Sequence, residues 1–154
     1  SIGLMGGAGA IPMNPELLDL AEKGDPKAVL LMMDWAHGPA GHFGGHPVPG
    51  LHHMNLGGSI VINGSVKNAL GVDFRACDNY KNGFEAAKKI QCPAINILGD
   101  RDKMCPINEG KKLAENIENS ELEIIENCGH MILLEEAGQS LEILKKFIRK
   151  NHPA

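Results

Sequence analysis

Two residues that could carry out acid–base chemistry each follow a short apolar segment. Asp102 lies three residues after Gly99, behind the run Ala94–Leu98, and His130 follows the run Leu122–Glu126. Histidine is the usual general base near neutral pH, and a carboxylate bonded to it fixes its tautomer and stabilises the imidazolium that forms. The two residue types therefore suit an acid that orients a general base.

The surrounding elements should bring these side chains together. The two apolar runs predict neighbouring strands, and a helix predicted between them makes the strands parallel. The carboxyl ends of parallel strands meet at one sheet edge, so we expect Asp102 to contact His130. Asp100, two residues earlier, is the rival acid. A polar turn with a local ion pair over 100–102 is the alternative interpretation.

The spacing of these residues resembles the acid and histidine loops of the α/β-hydrolase family. Gly-x-x-Asp-x-x-x-Pro starts at Gly99, and Gly-His-Met follows the next strand at 129–131. In that family the chain order is nucleophile, acid, histidine. The resemblance selects Asp102 as the acid and His130 as the base.

The resemblance also implies a fold. It extends from about Ser1 to Ile148 and corresponds only to the family's C-terminal half. We expect a single partial α/β-hydrolase domain over 1–154, with about three parallel strands, flanking helices and a helical cap region over 12–82. The complete enzyme would hydrolyse an ester, amide or similar bond of a small apolar molecule.

The nucleophile elbow of this family, Gly-x-Ser-x-Gly, is absent from the sequence. Neither Ser59 nor Ser65 has glycine two residues away on both sides, and Cys128 lies too close to His130 in the same loop to replace a serine. We therefore expect this chain to be inactive alone. The alternative is a non-catalytic, truncated remnant that acts as an oligomerising or binding module.

The cap is where the resemblance implies a substrate pocket. Met32, Met33 and Trp35 lie on a predicted helix of the cap, and Met131 follows the histidine. Methionine adapts its shape to varied apolar ligands, so these four residues are our candidate substrate contacts. The alternative is that they belong to the hydrophobic core.

Partners follow from the first predicted strand, Ser1–Met5. In the family this strand has neighbours on both sides, so here one edge should be open and should pair with the missing N-terminal half or with a second copy. A net charge of −4 argues against nucleic acid, and no apolar run of 18 residues predicts a membrane span.

The cysteines favour a reduced, cytoplasmic protein, because the four show no C-x-x-C spacing. A disulfide between Cys105 and Cys128 is the alternative. We expect no cofactor. The loop around Gly7 only partly matches a dinucleotide fingerprint, since a pyrophosphate loop must open directly into a helix.

A histidine-rich stretch raises the possibility of a metal site. Five histidines fall within 17 positions, the first at the end of a predicted helix and the other four in a segment that we predict to be a loop from Gly38 to Gly58; they are His37, His42, His46, His52 and His53. No cysteine or carboxylate joins them to complete a zinc geometry, so we expect no metal. Histidines bonded locally in the loop are the preferred interpretation.

Overall fold

The computed structural model describes residues 1–43, 52–64 and 68–153. Within them, a three-stranded parallel sheet has the order β1-β2-β3. The strands are β1 (Ile2–Met5), β2 (Ala94–Gly99) and β3 (Ser120–Ile125). The helices in these ranges are α1 (Pro15–Glu22), α2 (Pro26–Ala36), α3 (Pro39–His42), α4 (His53–Ile62), α5 (Ala69–Asn79), α6 (Gly83–Ala87), α7 (Ile107–Glu115), α8 (Ile132–Glu135) and α9 (Ala137–Asn151). The predicted α/β fold with three parallel strands is confirmed.

The central strand, β2, is buried along its whole length, as is typical of a parallel sheet. Every residue of β2 is buried, as expected for a strand covered on both faces by crossover helices. In register, Met5 of β1 lies opposite Ile97, and Ile125 of β3 lies opposite Gly99. All three strands therefore end at nearly the same level, and their following loops meet at one edge.

Helices pack on opposite faces of the sheet. Ile95 and Ile97 join Ile125 and Phe147 of α9 in one buried cluster. Ala94 and Leu113 of α7 belong to a second cluster. The alternation along β2 sends successive side chains to different faces, which is the period-2 geometry of a strand. The sheet is thereby fixed from both sides.

A helical segment, defined here as α1 to α5, follows β1. Its core is a separate cluster formed by Leu17, Leu18, Ala21, Ala28 and Phe74. The N-cap signals that predict these helices hold: the Asn14 side chain accepts hydrogen bonds from the backbone of Glu16 and Leu17, and Asp25 caps α2. The assignment of 12–82 as a cap stays a prediction.

The predicted loop over Gly38–Gly58 is wrong in part. α3 forms one turn, and α4 already begins at His53, while 44–51 lie outside the described residues. The glycines expected to break structure instead allow close packing: Gly57 lies against the end of Met33 on α2. A glycine in a helix costs propensity but permits contact that a larger residue would prevent.

None of the helices in the described ranges is long and apolar enough to cross a membrane.

Candidate active site

The loops after β2 and β3 interlock at the carboxyl edge of the sheet. The backbone N–H of Arg101 donates to the carbonyl oxygen of Cys128 at 2.9 Å. Gly99 lies where the two loops cross, and a Cβ at this position would collide with the carbonyl oxygens of Cys128 and Gly129. The glycine that starts the acid loop is required because two backbones touch there.

Asp102 is held in a single orientation. Its side chain is only 1% exposed. One oxygen, Oδ1, accepts from the backbone N–H groups of Met104 and Cys105, both at 2.8 Å. The other, Oδ2, lies 2.8 Å from Nδ1 of His130. Three hydrogen bonds satisfy the buried carboxylate, as burial of a charge demands, and aim it at the imidazole.

His130 has one tautomer that fits this contact. An ionised carboxylate can only accept, so Nδ1 of His130 carries the hydrogen and donates it to Asp102; this assignment follows from the hydrogen-bond network. Neutral Nε2 then has a free lone pair for a proton. The side chain is 28% exposed, so the ring is partly open to solvent and could act as a base.

The exit of β1 completes the immediate surroundings of the pair. Gly6 adopts φ +58°, and a Cβ there would lie 2.9 Å from Nδ1 of His130 and 3.4 Å from Oδ2 of Asp102. A side chain at this position would displace the imidazole. Sequence analysis missed Gly6, although the Gly6-Gly7 pair at a strand end was a signal for it.

Asp100, the rival acid, lies elsewhere. Its Oδ2 is 3.6 Å from Nε of Arg101, which is the local ion pair considered above. Asp100 helps to line a cleft of about 380 Å³ beside the acid loop. The cleft is lined by His37, Pro39, His42, Asp100, Arg101, Asp102 and Lys103. Of the two aspartates, Asp102 is the one that contacts His130.

Glu135 is a second residue that sequence analysis did not single out. Its carboxylate accepts hydrogen bonds from the backbone N–H groups of Gly129 and Met131, on either side of His130, and of Gly38. The signal was a carboxylate at the end of the short segment that leaves the histidine loop. It could not be interpreted without knowing that Gly38 is adjacent.

No nucleophile is in place beside His130 in the part of the chain that the structure describes. Ser59 lies exposed inside α4 rather than on a strand-to-helix turn, and Ser65 lies outside the described residues.

Burial, followed by the charge of Asp102, raises the pKa of Cys105 to about 12. Burial and then Glu135 raise the pKa of Cys128 to about 12 as well. Both thiols are therefore neutral near pH 7. Because the thiolate is the nucleophilic form of cysteine, neither thiol is an activated nucleophile. All four cysteines are free, so the alternative of a disulfide between Cys105 and Cys128 does not hold.

The four candidate substrate contacts have different positions. Met33 is buried and packs against Gly57, while Met32 and Trp35 pack around the core of the helical segment. Met131 is half-buried and follows His130 directly. Neither the cleft beside the acid loop nor a second, apolar cleft of about 270 Å³ is lined by any of them. Ala8, Ile11, Ala76, Cys77 and Tyr80 line the second cleft. Substrate binding by the four residues stays a prediction.

The histidine-rich stretch forms no metal site within the described ranges, where no group of three or more potential ligands comes together. Nδ1 of His37 lies 2.8 Å from the backbone oxygen of Met33. His42 contacts the oxygen of His37 and lies 3.4 Å from Asp34. His46 falls outside the described residues. The two histidines at the start of the stretch are thus engaged in local contacts.

The segment after β1 does not form a dinucleotide loop. α1 begins only at Pro15, and Gly9 packs against the ring of Phe84. A pyrophosphate requires backbone N–H groups at a helix N-terminus immediately after the glycines. This geometry excludes the fingerprint interpretation of the Gly7 loop.

Comparison with known proteins identifies similar hydrolases. No family model matches the chain. Monoacylglycerol lipase ABHD6 of Bos taurus is 33% identical over 64 residues, which are 42% of this chain and 19% of that protein. Proline iminopeptidase of Saccharolobus solfataricus is 36% identical over 64 residues, or 42% of this chain and 20% of that protein.

Solved structures match nearly the whole chain. A thermophilic esterase superposes with a TM-score of 0.77 and 27% identity, covering 97% of this chain and 56% of the esterase. A hydrolase from Oleispira antarctica, at 20% identity and a TM-score of 0.76, shares the fold. The chain therefore spans about half the length of these structures and about a fifth of the curated relatives.

Proposed function

Because this chain belongs to the α/β-hydrolase family and corresponds to a C-terminal portion of it, we propose that it supplies the acid and the base of a serine-hydrolase mechanism. In the complete enzyme, His130 would take a proton from a serine and pass it to the leaving group. Asp102 would orient His130 and stabilise the imidazolium. The reaction would be hydrolysis of an ester, amide or similar bond.

One observation carries this proposal: Nδ1 of His130 lies 2.8 Å from a buried carboxylate oxygen that has no other hydrogen-bond donor among the described residues. A structural ion pair at a surface would leave both partners exposed and would contribute little. Here the acid is sequestered and the side chain of the base is partly exposed. This asymmetry is what an orienting acid and a working base require.

A small, largely apolar substrate is the remaining part of the proposal. The relatives are named as a lipase, an iminopeptidase and esterases, so acyl chemistry recurs while the substrates differ. Met32, Met33, Trp35 and Met131 are the proposed apolar contacts. The four free cysteines favour a reducing, cytoplasmic location.

The test uses the complete hydrolase expressed from its gene and p-nitrophenyl esters of increasing chain length. Asp102→Asn should lower kcat by about 10⁴-fold, because the amide favours the wrong tautomer of His130. Asp100→Asn, two residues away, is the matched control and should retain activity within about threefold, since it touches neither reacting group. Equal losses from both variants would contradict the assignment of the acid.

The same proposal makes a prediction for the chain alone. Because the described residues place no nucleophile beside His130, we expect the chain alone to hydrolyse none of these esters above a background protein. Covalent labelling of the isolated chain by a fluorophosphonate would overturn this, because the reagent reports an activated serine.

A second function is favoured by the open edge of β1. Among the described residues this strand pairs with β2 on one side and with no strand on the other, and Gly3 on it is exposed. An unpaired strand edge is a template for another strand, so we propose pairing with the rest of the hydrolase or with a second copy. Analytical ultracentrifugation of the chain distinguishes these two partners. A dimer of the chain supports pairing with a second copy, whereas a monomer that binds the preceding half of the hydrolase supports pairing with that half. A monomer that binds neither would contradict this proposal.

A further inference from the structure

The carboxylate of Glu135 joins two parts of the chain that are far apart in sequence. Oε2 accepts the N–H of Gly38 at 2.6 Å, across 97 residues, and that of Gly129 at 3.2 Å. Oε1 accepts the N–H of Met131 at 3.2 Å. In the described ranges no lysine, arginine or histidine pairs with this carboxylate. Its charge is therefore used on backbone amides alone.

These three amides are not equivalent in what they control. Gly129 and Met131 flank His130, so fixing both of them fixes the backbone from which the imidazole projects. Gly38 lies two residues after the end of α2, which belongs to the helical segment. Hydrogen bonds to an ionised acceptor are about twice as strong as neutral ones, so this is a firm connection.

A second set of contacts crosses the same junction. The carbonyl oxygen of Ala36, the last residue of α2, accepts the N–H of His130 at 2.8 Å and that of Met131 at 3.1 Å. A Cβ at Gly38 would lie 2.7 Å from the backbone oxygen of Asn127 and 2.9 Å from the nitrogen of Gly129. The end of α2 and the histidine loop therefore touch through their backbones.

We infer that Glu135 is a positioning residue that couples the end of α2 to the orientation of the His130 imidazole. It accepts from Gly38 and Gly129 through one oxygen, so a displacement of Gly38 also alters the acceptor of the histidine loop. Movement of the helical segment would thereby change how well His130 meets Asp102. The catalytic consequence rests on the proposed function, whereas the coupling itself does not.

The test follows His130 directly in the chain as it exists. With ¹⁵N-labelled histidine, the imidazole nitrogen shifts give the fraction of the Nδ1–H tautomer, and the Nδ1 proton gives its exchange rate with water. Glu135→Ala should speed this exchange at least about tenfold, as expected on loss of charge-assisted bonds that hold the loop. Glu135→Gln should fall between, because its one oxygen can replace only part of the acceptor.

Glu136→Gln is the matched control. It removes the same charge one residue later, at an exposed side chain, and should leave the His130 signals as in the parent chain. Amide hydrogen exchange gives a second measurement: in Glu135→Gln, the N–H of Gly38 should lose protection together with that of Gly129, whereas the N–H of Met131 keeps the carbonyl oxygen of Ala36 as an acceptor. If Glu135→Ala does not fold, the isosteric glutamine variant decides.

Failure of this inference and failure of the proposed function would give different results. If Glu135→Gln lowers stability but leaves the His130 tautomer and Nδ1 exchange unchanged, Glu135 only supports the turn and the inference is wrong. If Asp102→Asn leaves the same signals unchanged, the acid–base pair itself is wrong. A change with both variants, and none with Glu136→Gln, is the result that we expect.

Discussion

Two glycines show how differently the two halves of this molecule are built. Gly99 lies where the loops after β2 and β3 cross, and Gly57 lies where α4 meets α2. A Cβ at either position would lie less than 3.0 Å from a neighbouring atom, which is closer than van der Waals contact allows. At Gly99 it would meet backbone carbonyl oxygens, whereas at Gly57 it would meet Cε of Met33 at 2.8 Å. The acid–base edge is thus fixed by backbone, and the helical segment by side chains that can move.

This difference matters for function because catalytic geometry tolerates little displacement. The Asp102–His130 contact depends on two loops that cannot shift without breaking their own hydrogen bonds. The helical segment has its own cluster of buried residues, distinct from the two clusters that enclose the sheet. Under the proposed function, a rigid acid–base pair combined with a helical segment that can repack would let one pair serve different substrates.

The largest expected effect is at the crossing loops. Gly99→Ala should reduce the free energy of unfolding by about 3 kcal/mol or more, since overpacking against backbone cannot be relieved by a rotamer change. Guanidinium denaturation measures it. Gly138→Ala is the control, because a Cβ there meets nothing within 4 Å, and it should be neutral or stabilising. A similar loss at both positions would mean that crowding at Gly99 is not the cause.

The features that the sequence alone predicts also differ between these two regions. The motif from Gly99 to Pro106 and the Gly129-His130 pair predict the strands, their parallel order and the contact between acid and base. Local rules suffice there, because the loop geometry is set by a few residues at fixed spacing. N-caps at Asn14 and Asp25 likewise predict where α1 and α2 begin.

The features that were missed depend on distant parts of the chain. Nothing near Glu135 in sequence indicates that Gly38 would donate to it. The glycines, prolines and histidines between Gly38 and Gly58 predict a loop, whereas α4 already begins at His53. Packing against Met33 overrides that weak preference. Contacts between distant segments decide such cases, and one sequence does not contain their register.

The second prediction concerns the thiols beneath the acid–base edge. Cys105 and Cys128 have pKa values raised to about 12, chiefly by burial. Above the ordinary thiol pKa the unfolded chain releases protons that the folded chain retains. The unfolded state then binds fewer protons, so stability falls as the pH rises from about 9 toward 12. The loss should reach at most about 1.4 kcal/mol per pH unit for each thiol.

Urea denaturation at pH 8 and at pH 10 measures this slope. A variant with alanine at both Cys105 and Cys128 removes the two titrating groups, and its stability should depend less on pH over the same range. Cys77, which is exposed, provides the control: Cys77→Ala should retain the slope of the parent chain. An unchanged slope in the double variant would show that other groups dominate.

The third prediction moves to the start of the helical segment. Oδ1 of Asn14 accepts from the backbone N–H groups of Glu16 and Leu17, at 2.9 and 3.1 Å. Asn14→Ala leaves both donors to water and should cost about 1 kcal/mol. Thermal unfolding followed by circular dichroism measures the loss, and Asn14→Ser, which can still cap, should recover most of it. A full loss in the serine variant would assign the effect to something other than capping.

The smallest expected effect is at the other glycine. Gly57→Ala places its Cβ against the flexible end of Met33, which can turn aside at little cost, and it also gains about 0.5–1 kcal/mol of helix propensity. The two terms nearly cancel, so unfolding in guanidinium should change by less than about 1 kcal/mol. Met33→Ile, with a branch at Cβ that cannot turn aside, should make Gly57→Ala costly when the two are combined. If Gly57→Ala alone destabilises the chain as strongly as Gly99→Ala, the α2–α4 contact is as rigid as the crossing loops, and the contrast between the two regions is wrong.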